Sequence, residues 1–148
     1  MNKILLLGLM PLFIYAGSAN AVLTCKSGSG RTLLKFYDQD LTGSFLGGQL
    51  SIDKKTLKYE NEDTKGVHAA MVVDLQRGVY TLNYQAENKT LIFYAIPKSV
   101  KRVGSRKYGA EHYKFTGLIG YRTADPRKVN GEMINKTISL SCTLDYSI

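Results

Sequence analysis

Residues on which enzyme active sites commonly depend are scarce in this chain of 148 residues. It contains two histidines, two cysteines and no tryptophan. It also lacks the G-x-S-x-G, H-E-x-x-H and G-x-x-x-x-G-K-S/T motifs, so the sequence does not indicate a serine hydrolase, a zinc protease or a phosphate-binding loop. We therefore expect a protein that is not an enzyme and that has no metal site and no cofactor.

The remaining catalytic candidates are one histidine and one pair of aspartates. His112 follows Glu111, but adjacent strand residues point to opposite faces, so Glu111 would not orient the imidazole. Asp38 and Asp40 would share a face, as the paired carboxylates of a glycosidase do. Because aspartates also favour turns, a turn at this point explains them more simply. A hydrolase without a recognisable motif stays as an alternative.

The only long apolar run lies at the N-terminus, where residues 1–21 have the features of a secretory signal peptide. Lys3 precedes the apolar residues 4–16, and the segment closes on a small-x-small pattern at Ala21. The run is shorter than the roughly 20 residues that cross a bilayer. We predict cleavage after Ala21, export to the periplasm or the medium, and a single soluble domain at residues 22–148 without a transmembrane segment.

Two cysteines in an exported chain predict one disulfide bond. Cys142 belongs to residues 137–148, where apolar and polar side chains alternate strictly, and it lies on the apolar face. Cys25 shares its face with Leu23 near the start of the mature chain. We therefore predict a buried bond that joins the N-terminal strand to the C-terminal strand. A reactive thiol would favour an exposed, electropositive setting instead.

Short apolar or alternating segments separated by turn signals make up most of the mature chain. We count about eight such segments and no run of helical period, which predicts an all-β fold, either an antiparallel β-sandwich or a small β-barrel. Glycines at positions 43, 47 and 48 predict a bulged strand within residues 41–50. Residues 91–96 are continuously apolar, which is typical of a strand covered on both faces.

Positive charge is concentrated in one part of the chain. The formal net charge is +8, and residues 89–128 hold ten basic residues against two acidic ones. The centre of this stretch is a predicted loop at residues 97–110. Its candidate partner-binding residues are Lys98, Lys101, Arg102, Arg106, Lys107 and Tyr108.

A basic loop of this kind is suited to an anionic partner such as a glycan, a lipid head group or an acidic protein bound in the manner of an inhibitor. Nucleic acid is not expected, because the chain is exported and has no recognisable nucleic-acid-binding motif. A solvated loop that only keeps the protein soluble is the structural alternative. The predicted function is therefore a small, non-enzymatic binding protein. The other alternative is a lipocalin-like carrier of a small apolar ligand.

Overall fold

The computed structural model describes residues 20–39, 41–104, 110–124 and 133–147, which form ten β-strands and two short 3₁₀ helices. The strands are β1 (Asn20–Lys26), β2 (Thr32–Gln39), β3 (Ser44–Ile52), β4 (Lys55–Tyr59), β5 (His68–Asp74), β6 (Val79–Ala86), β7 (Lys89–Ala95), β8 (Lys101–Arg102), β9 (Glu111–Ala124) and β10 (Met133–Ser147). The 3₁₀ helices are Leu75–Arg77 and Pro97–Ser99. The all-β class is confirmed. The predicted number of about eight strands was too low, partly because β8 has two residues and lies in what the sequence indicates as a loop.

All described strand pairs are antiparallel and belong to one sheet in the order β4-β3-β2-β1-β10-β9-β7-β6-β5. The short β8 pairs with β9 next to the segment of β9 that pairs with β7. The longest strand, β10, is therefore central, with β1 on one side and β9 on the other. The sheet curls into a half-barrel. This architecture replaces the predicted choice between a two-sheet sandwich and a small barrel.

Aromatic side chains fill the inner face of the curled sheet. Phe36 packs edge-to-face on Phe45 and on Phe93, with ring centroids 5.5 and 5.9 Å apart. Phe93 also contacts Tyr80 and Phe115 at 6.1 and 6.4 Å. Such edge-to-face pairs add to the free energy gained by burying the rings. The inner face is thus a packed core, and the outer face is exposed to solvent.

The predicted irregularity in β3 is confirmed. Tyr37 of β2 pairs with Gly47, whereas the next residue, Asp38, pairs with Phe45, so Leu46 has no partner in the register. An extra residue of this kind bends a strand and increases its twist, which favours curling of the sheet. Gly47 has a φ of 118°, a conformation that other residues rarely adopt.

The end of β4 lies against β6 and β7, so the two sides of the half-barrel approach each other. The Tyr84 hydroxyl donates to the Glu60 carboxylate over 2.9 Å, and Lys89 Nζ lies 2.8 Å from Glu60 Oε2. Lys89 Nζ also donates to the Lys58 carbonyl oxygen. Burial, followed by the hydrogen bond to Glu60, raises the pKa of Tyr84 to about 12, so the phenol remains a donor. These contacts connect distant parts of one sheet.

The predicted disulfide is confirmed. Cys25 and Cys142 are directly opposite each other in the β1–β10 pair, and their sulfur atoms are 2.06 Å apart. Both side chains lie in the core. The bond joins residues 117 positions apart in the chain. Because it joins directly opposed residues of neighbouring strands, it fixes the register between β1 and β10.

Two local predictions were wrong. Asp38 does not lie in a turn: it belongs to β2 and is fully buried, whereas Asp40 is outside the described residues. Residues 91–96 are not covered on both faces, because Ile92 and Tyr94 are 52% and 43% exposed on the outer face. A continuous apolar run therefore marks a strand here without showing which of its faces are buried.

Within the described ranges, no helix is long and apolar enough to cross a membrane. Residues 1–19 of the predicted signal peptide lie outside the described residues. Asn20 and Ala21 belong to β1, where the side chain of Ala21 is buried. Cleavage after Ala21 stays a prediction.

Candidate anion-binding surface

The described part of the predicted basic loop runs along β9. The backbone N–H of Ile96 donates to the Thr116 carbonyl over 2.8 Å, and the Thr116 N–H donates to Ser99 Oγ over 2.9 Å. Further on, the Val103 N–H donates to the His112 carbonyl over 2.8 Å. These bonds align β8 with β9, so the basic residues of this segment have defined positions.

The described candidate residues of the loop do not converge on one spot. Lys101 lies directly opposite Lys114, and Arg102 lies opposite Tyr113. Because adjacent strand residues point to opposite faces, Lys101 and Arg102 diverge. Lys98 is exposed in the preceding 3₁₀ helix. Outside the described residues lie Arg106, Lys107 and Tyr108.

Lys101 and Lys114 form a cross-strand pair of like charges on the exposed outer face. Side chains at directly opposed positions are about 4.5–5.5 Å apart at Cβ, and like charges there destabilise the sheet. An anion placed between two such ammonium groups would relieve their repulsion. This pair is the strongest local signal for anion binding on the described surface.

The pair belongs to a longer row of polar residues that crosses seven strands on the same outer face. Each member lies directly opposite the next in the register of the sheet, and each is exposed or half-buried. From one side to the other, this lysine row comprises Lys101, Lys114, Thr143, Thr24, Lys35, Gln49 and Lys58. It therefore carries four positive charges and no negative one.

Two acidic side chains close to the lysine row have partners of their own. Asp145 lies two residues from Thr143, and its Oδ1 is 2.6 Å from Nδ1 of His112. Glu60 lies two residues from Lys58 and is bound by Lys89. The hydrogen bond from Lys89 is the main reason that the pKa of Glu60 is lowered, so Glu60 is ionised and paired near neutral pH. Glu60 therefore does not cancel the charge of Lys58.

A hollow of about 420 Å³ lies at the β2–β4 end of the lysine row. Its lining includes Lys35, Tyr37, Gln49 and Lys58. The Lys35 ammonium is 5.4 Å from the centre of the Tyr37 ring. Tyr37 lies opposite Gly47, which has no side chain to cover the ring. The hollow therefore combines positive charge with an accessible aromatic surface.

A second concavity, of about 540 Å³, opens at one end of the half-barrel. Its apolar side chains are Leu41, Val73, Leu75 and Val100, and its polar ones are Gln76, Arg102, Glu111 and Tyr113. The Tyr113 hydroxyl donates to the Glu111 carboxylate over 2.9 Å. This mouth pocket is where the Arg102 side chain lies, apart from the lysine row.

Catalytic candidates gain little from the structure. As the sequence predicts, Glu111 does not orient His112. The partner of His112 is Asp145, and both side chains of this pair are more than half exposed on the outer face. Sequence reasoning missed this pairing, because it depends on the register between β9 and β10. Among the described residues, no three His, Cys, Asp or Glu side chains are grouped so that they would hold a metal ion.

Comparison of the chain with protein-family models, curated proteins and solved structures finds no match. The class of protein is therefore defined by its own features. It is an all-β half-barrel with a disulfide bond between its N- and C-terminal strands and a row of lysines across its outer face.

Proposed function

We propose that the protein is an exported, non-enzymatic binding protein that engages an anionic partner through the basic segment at residues 97–110. The location would be the periplasm or the extracellular medium. The observation that carries this proposal is the exposed pair formed by Lys101 and Lys114. A glycan, a lipid head group or an acidic protein would supply the anion.

The ordering of residues 96–103 also supports this function. Residues 96–103 are held to β9 by backbone hydrogen bonds, so Lys101 is presented at a fixed position. A preorganised charge loses less conformational freedom on binding than a charge on a mobile loop. The order of residues 96–103 therefore favours binding over the alternative of a solvated loop whose charges only promote solubility.

Retention on a sulfated-dextran matrix tests the proposal. We expect the variant Lys101→Glu/Arg102→Glu/Arg106→Glu/Lys107→Glu to elute at much lower salt than the parent protein, because its ion contacts are reversed. A matched control reverses four basic residues elsewhere. The control positions are Lys54, Lys55, Lys65 and Arg77, all of them exposed.

Two results would contradict the proposal. If the loop variant elutes with the parent protein, the segment does not bind the matrix. If both variants shift equally, retention reflects net charge alone and not this surface. Circular dichroism of each variant establishes that it is folded before it is compared.

The mouth pocket favours a second candidate function, a carrier of a small apolar ligand. Because aromatic rings fill the inner face, the ligand would bind at the mouth and not in the centre of the half-barrel. Saturable binding of an apolar fluorescent probe should disappear in Val73→Trp, which fills the pocket. Val72→Trp, on the adjacent outward-facing residue, should bind normally. Equal binding by both variants would exclude the pocket as the site.

The hydrolase alternative has no comparable support from the structure. Asp38 is fully buried, and His112 pairs with Asp145 on an open surface. Activity screening on envelope glycans, with His112→Ala and Asp38→Ala as controls, still tests it. Turnover that both substitutions abolish in folded protein would establish it.

A further inference from the structure

We infer that the anionic partner is a linear polysaccharide that lies across the strands along the lysine row, a proposal that rests on the binding function above and names its partner class. The chain would contact Lys101 and Lys114 at one end of the row and Lys35 and Lys58 at the other. Binding would therefore extend well beyond the basic segment at residues 97–110.

The spacing of the row suits an extended ligand. Neighbouring strands are about 4.8 Å apart, so the six steps from Lys101 to Lys58 cover roughly 29 Å along the curved surface. Lysines occupy both ends, and Lys35 lies two strands from Lys58. A single small anion can meet only one part of such a row, whereas a polymer with repeated charges can meet all of it.

The uncharged members of the row suit a sugar polymer. Thr143, Thr24 and Gln49 present hydroxyl and amide groups that both donate and accept hydrogen bonds. At the far end, the exposed ring of Tyr37 beside Lys35 offers a flat apolar surface on which a sugar ring can stack. Lys26, two residues from Thr24 on the same face, adds another positive charge. The surface thus pairs charge recognition with hydroxyl recognition.

The shape of the sheet argues against a membrane. The row follows the direction in which the sheet curls, and it lies on the convex side of the half-barrel. A planar bilayer surface would touch the crest of this curve and leave the ends of the row out of reach. A flexible chain can follow the curve and contact every lysine.

Single-stranded nucleic acid fits less well than a polysaccharide. Proteins that bind such strands without sequence preference stack successive bases on several aromatic side chains. Among the seven members of the lysine row there is no aromatic residue, and the exposed ring of Tyr37 lies beside one end of it, within the part of the chain that the structure describes. The row is therefore better equipped to bind charges and hydroxyl groups than bases.

Affinity for dextran sulfate fragments of graded length tests the inference. We expect the parent protein to bind more tightly as fragments lengthen to about 29 Å, and then to gain little. The far-end variant Lys35→Gln/Lys58→Gln should lose about tenfold in affinity for long fragments and little for short ones, since each exposed contact contributes modestly. The control Lys54→Gln/Lys65→Gln removes the same charge outside the row and should match the parent protein.

The outcomes separate this inference from the proposed function. One outcome refutes only the inference: the far-end variant binds long fragments as well as the parent does, while reversal of the 97–110 charges abolishes binding. The partner then does not bind along the lysine row, and the proposed function of the basic segment is retained. If reversal of those charges changes nothing, the proposed function fails. Tighter binding to anionic phospholipid vesicles or to single-stranded oligonucleotides than to long dextran sulfate would overturn the polysaccharide assignment.

Discussion

The two faces of the curled sheet are built from the same strands but have different roles. On the inner face, Phe36, Phe93 and their aromatic neighbours are buried and in contact. On the outer face, Lys101 and Lys114 are exposed and Lys35 is half-buried, so these side chains contribute little to the packing of the core. Substitutions should therefore act separately: those on the inner face change stability, and those on the outer face change binding.

Truncation of a central aromatic ring should cause the largest loss in the free energy of unfolding. Phe93→Ala removes contacts with three other aromatic rings and leaves a cavity, so we expect a loss of about 3–5 kcal/mol in the free energy of unfolding. The adjacent residue provides the control, because Tyr94 points outward. Tyr94→Ala should cost less than about 1 kcal/mol in the same urea titration. Similar losses for both variants would mean that the two faces are not energetically distinct.

Loss of the disulfide comes next. Cys25→Ser/Cys142→Ser should lower the free energy of unfolding by about 2–5 kcal/mol, since the bond restrains a long segment of the unfolded chain. Reduction of the parent protein should give a similar loss. Dextran sulfate binding by whatever fraction stays folded should be unchanged, because both sulfur atoms face inward. Weaker binding by the folded fraction would show that the outer face depends on this bond.

Adding a single methyl group at each of two glycines of β9 also compares a packed position with an open one. A Cβ at Gly117 would lie 2.6 Å from the Phe93 ring and 3.0 Å from Cys142 Sγ, so Gly117→Ala should cost about 1–3 kcal/mol. A Cβ at Gly120 would have nothing within 4 Å. Gly120→Ala should therefore be neutral or stabilising by up to about 1 kcal/mol, because glycine weakens a strand interior. Thermal unfolding of the two variants compares them directly.

The inner face was largely predictable, because it depends on alternation within each strand. Leu140, Cys142 and Leu144 occupy the buried positions that the pattern at residues 137–148 predicts. Asp38 was an exception, since a buried aspartate in a strand gives the same sequence signal as a turn residue. Ile92 was another, because apolar composition does not reveal which face of a strand has a neighbour.

The lysine row was not predictable from the sequence. Lys35 and Lys58 lie outside the basic stretch at residues 89–128, and they reach the row only because of which strands pair and in what register. A shift of one residue in either pair would turn those side chains to the other face. The basic segment itself was found by counting charge along the chain. The positions of Lys35 and Lys58 in the same row could be recognised only once the order of the strands was known.

The smallest expected effects concern two side-chain pairs, one on the outer face and one where the two sides of the half-barrel meet. Lys89 and Glu60 form a partly buried pair there, whereas His112 and Asp145 form an exposed pair on the outer face. Because Glu60 is partly exposed, we expect Glu60→Gln to cost at most about 1 kcal/mol at pH 7. Asp145→Asn should cost less, since exposed pairs contribute little.

The pH dependence of this cost follows from the lowered pKa of Glu60. In the unfolded chain the carboxyl titrates near its ordinary value, whereas in the folded protein the hydrogen bond from Lys89 keeps it ionised to lower pH. Its stabilisation is therefore fully present above the unfolded pKa and is lost as the pH falls through the lower folded pKa. The stability difference between the parent protein and Glu60→Gln should shrink on acidification and vanish once Glu60 is protonated in both states. A difference that stays constant across this range in urea titrations would show that Glu60 acts through packing and its neutral hydrogen bonds rather than through its charge.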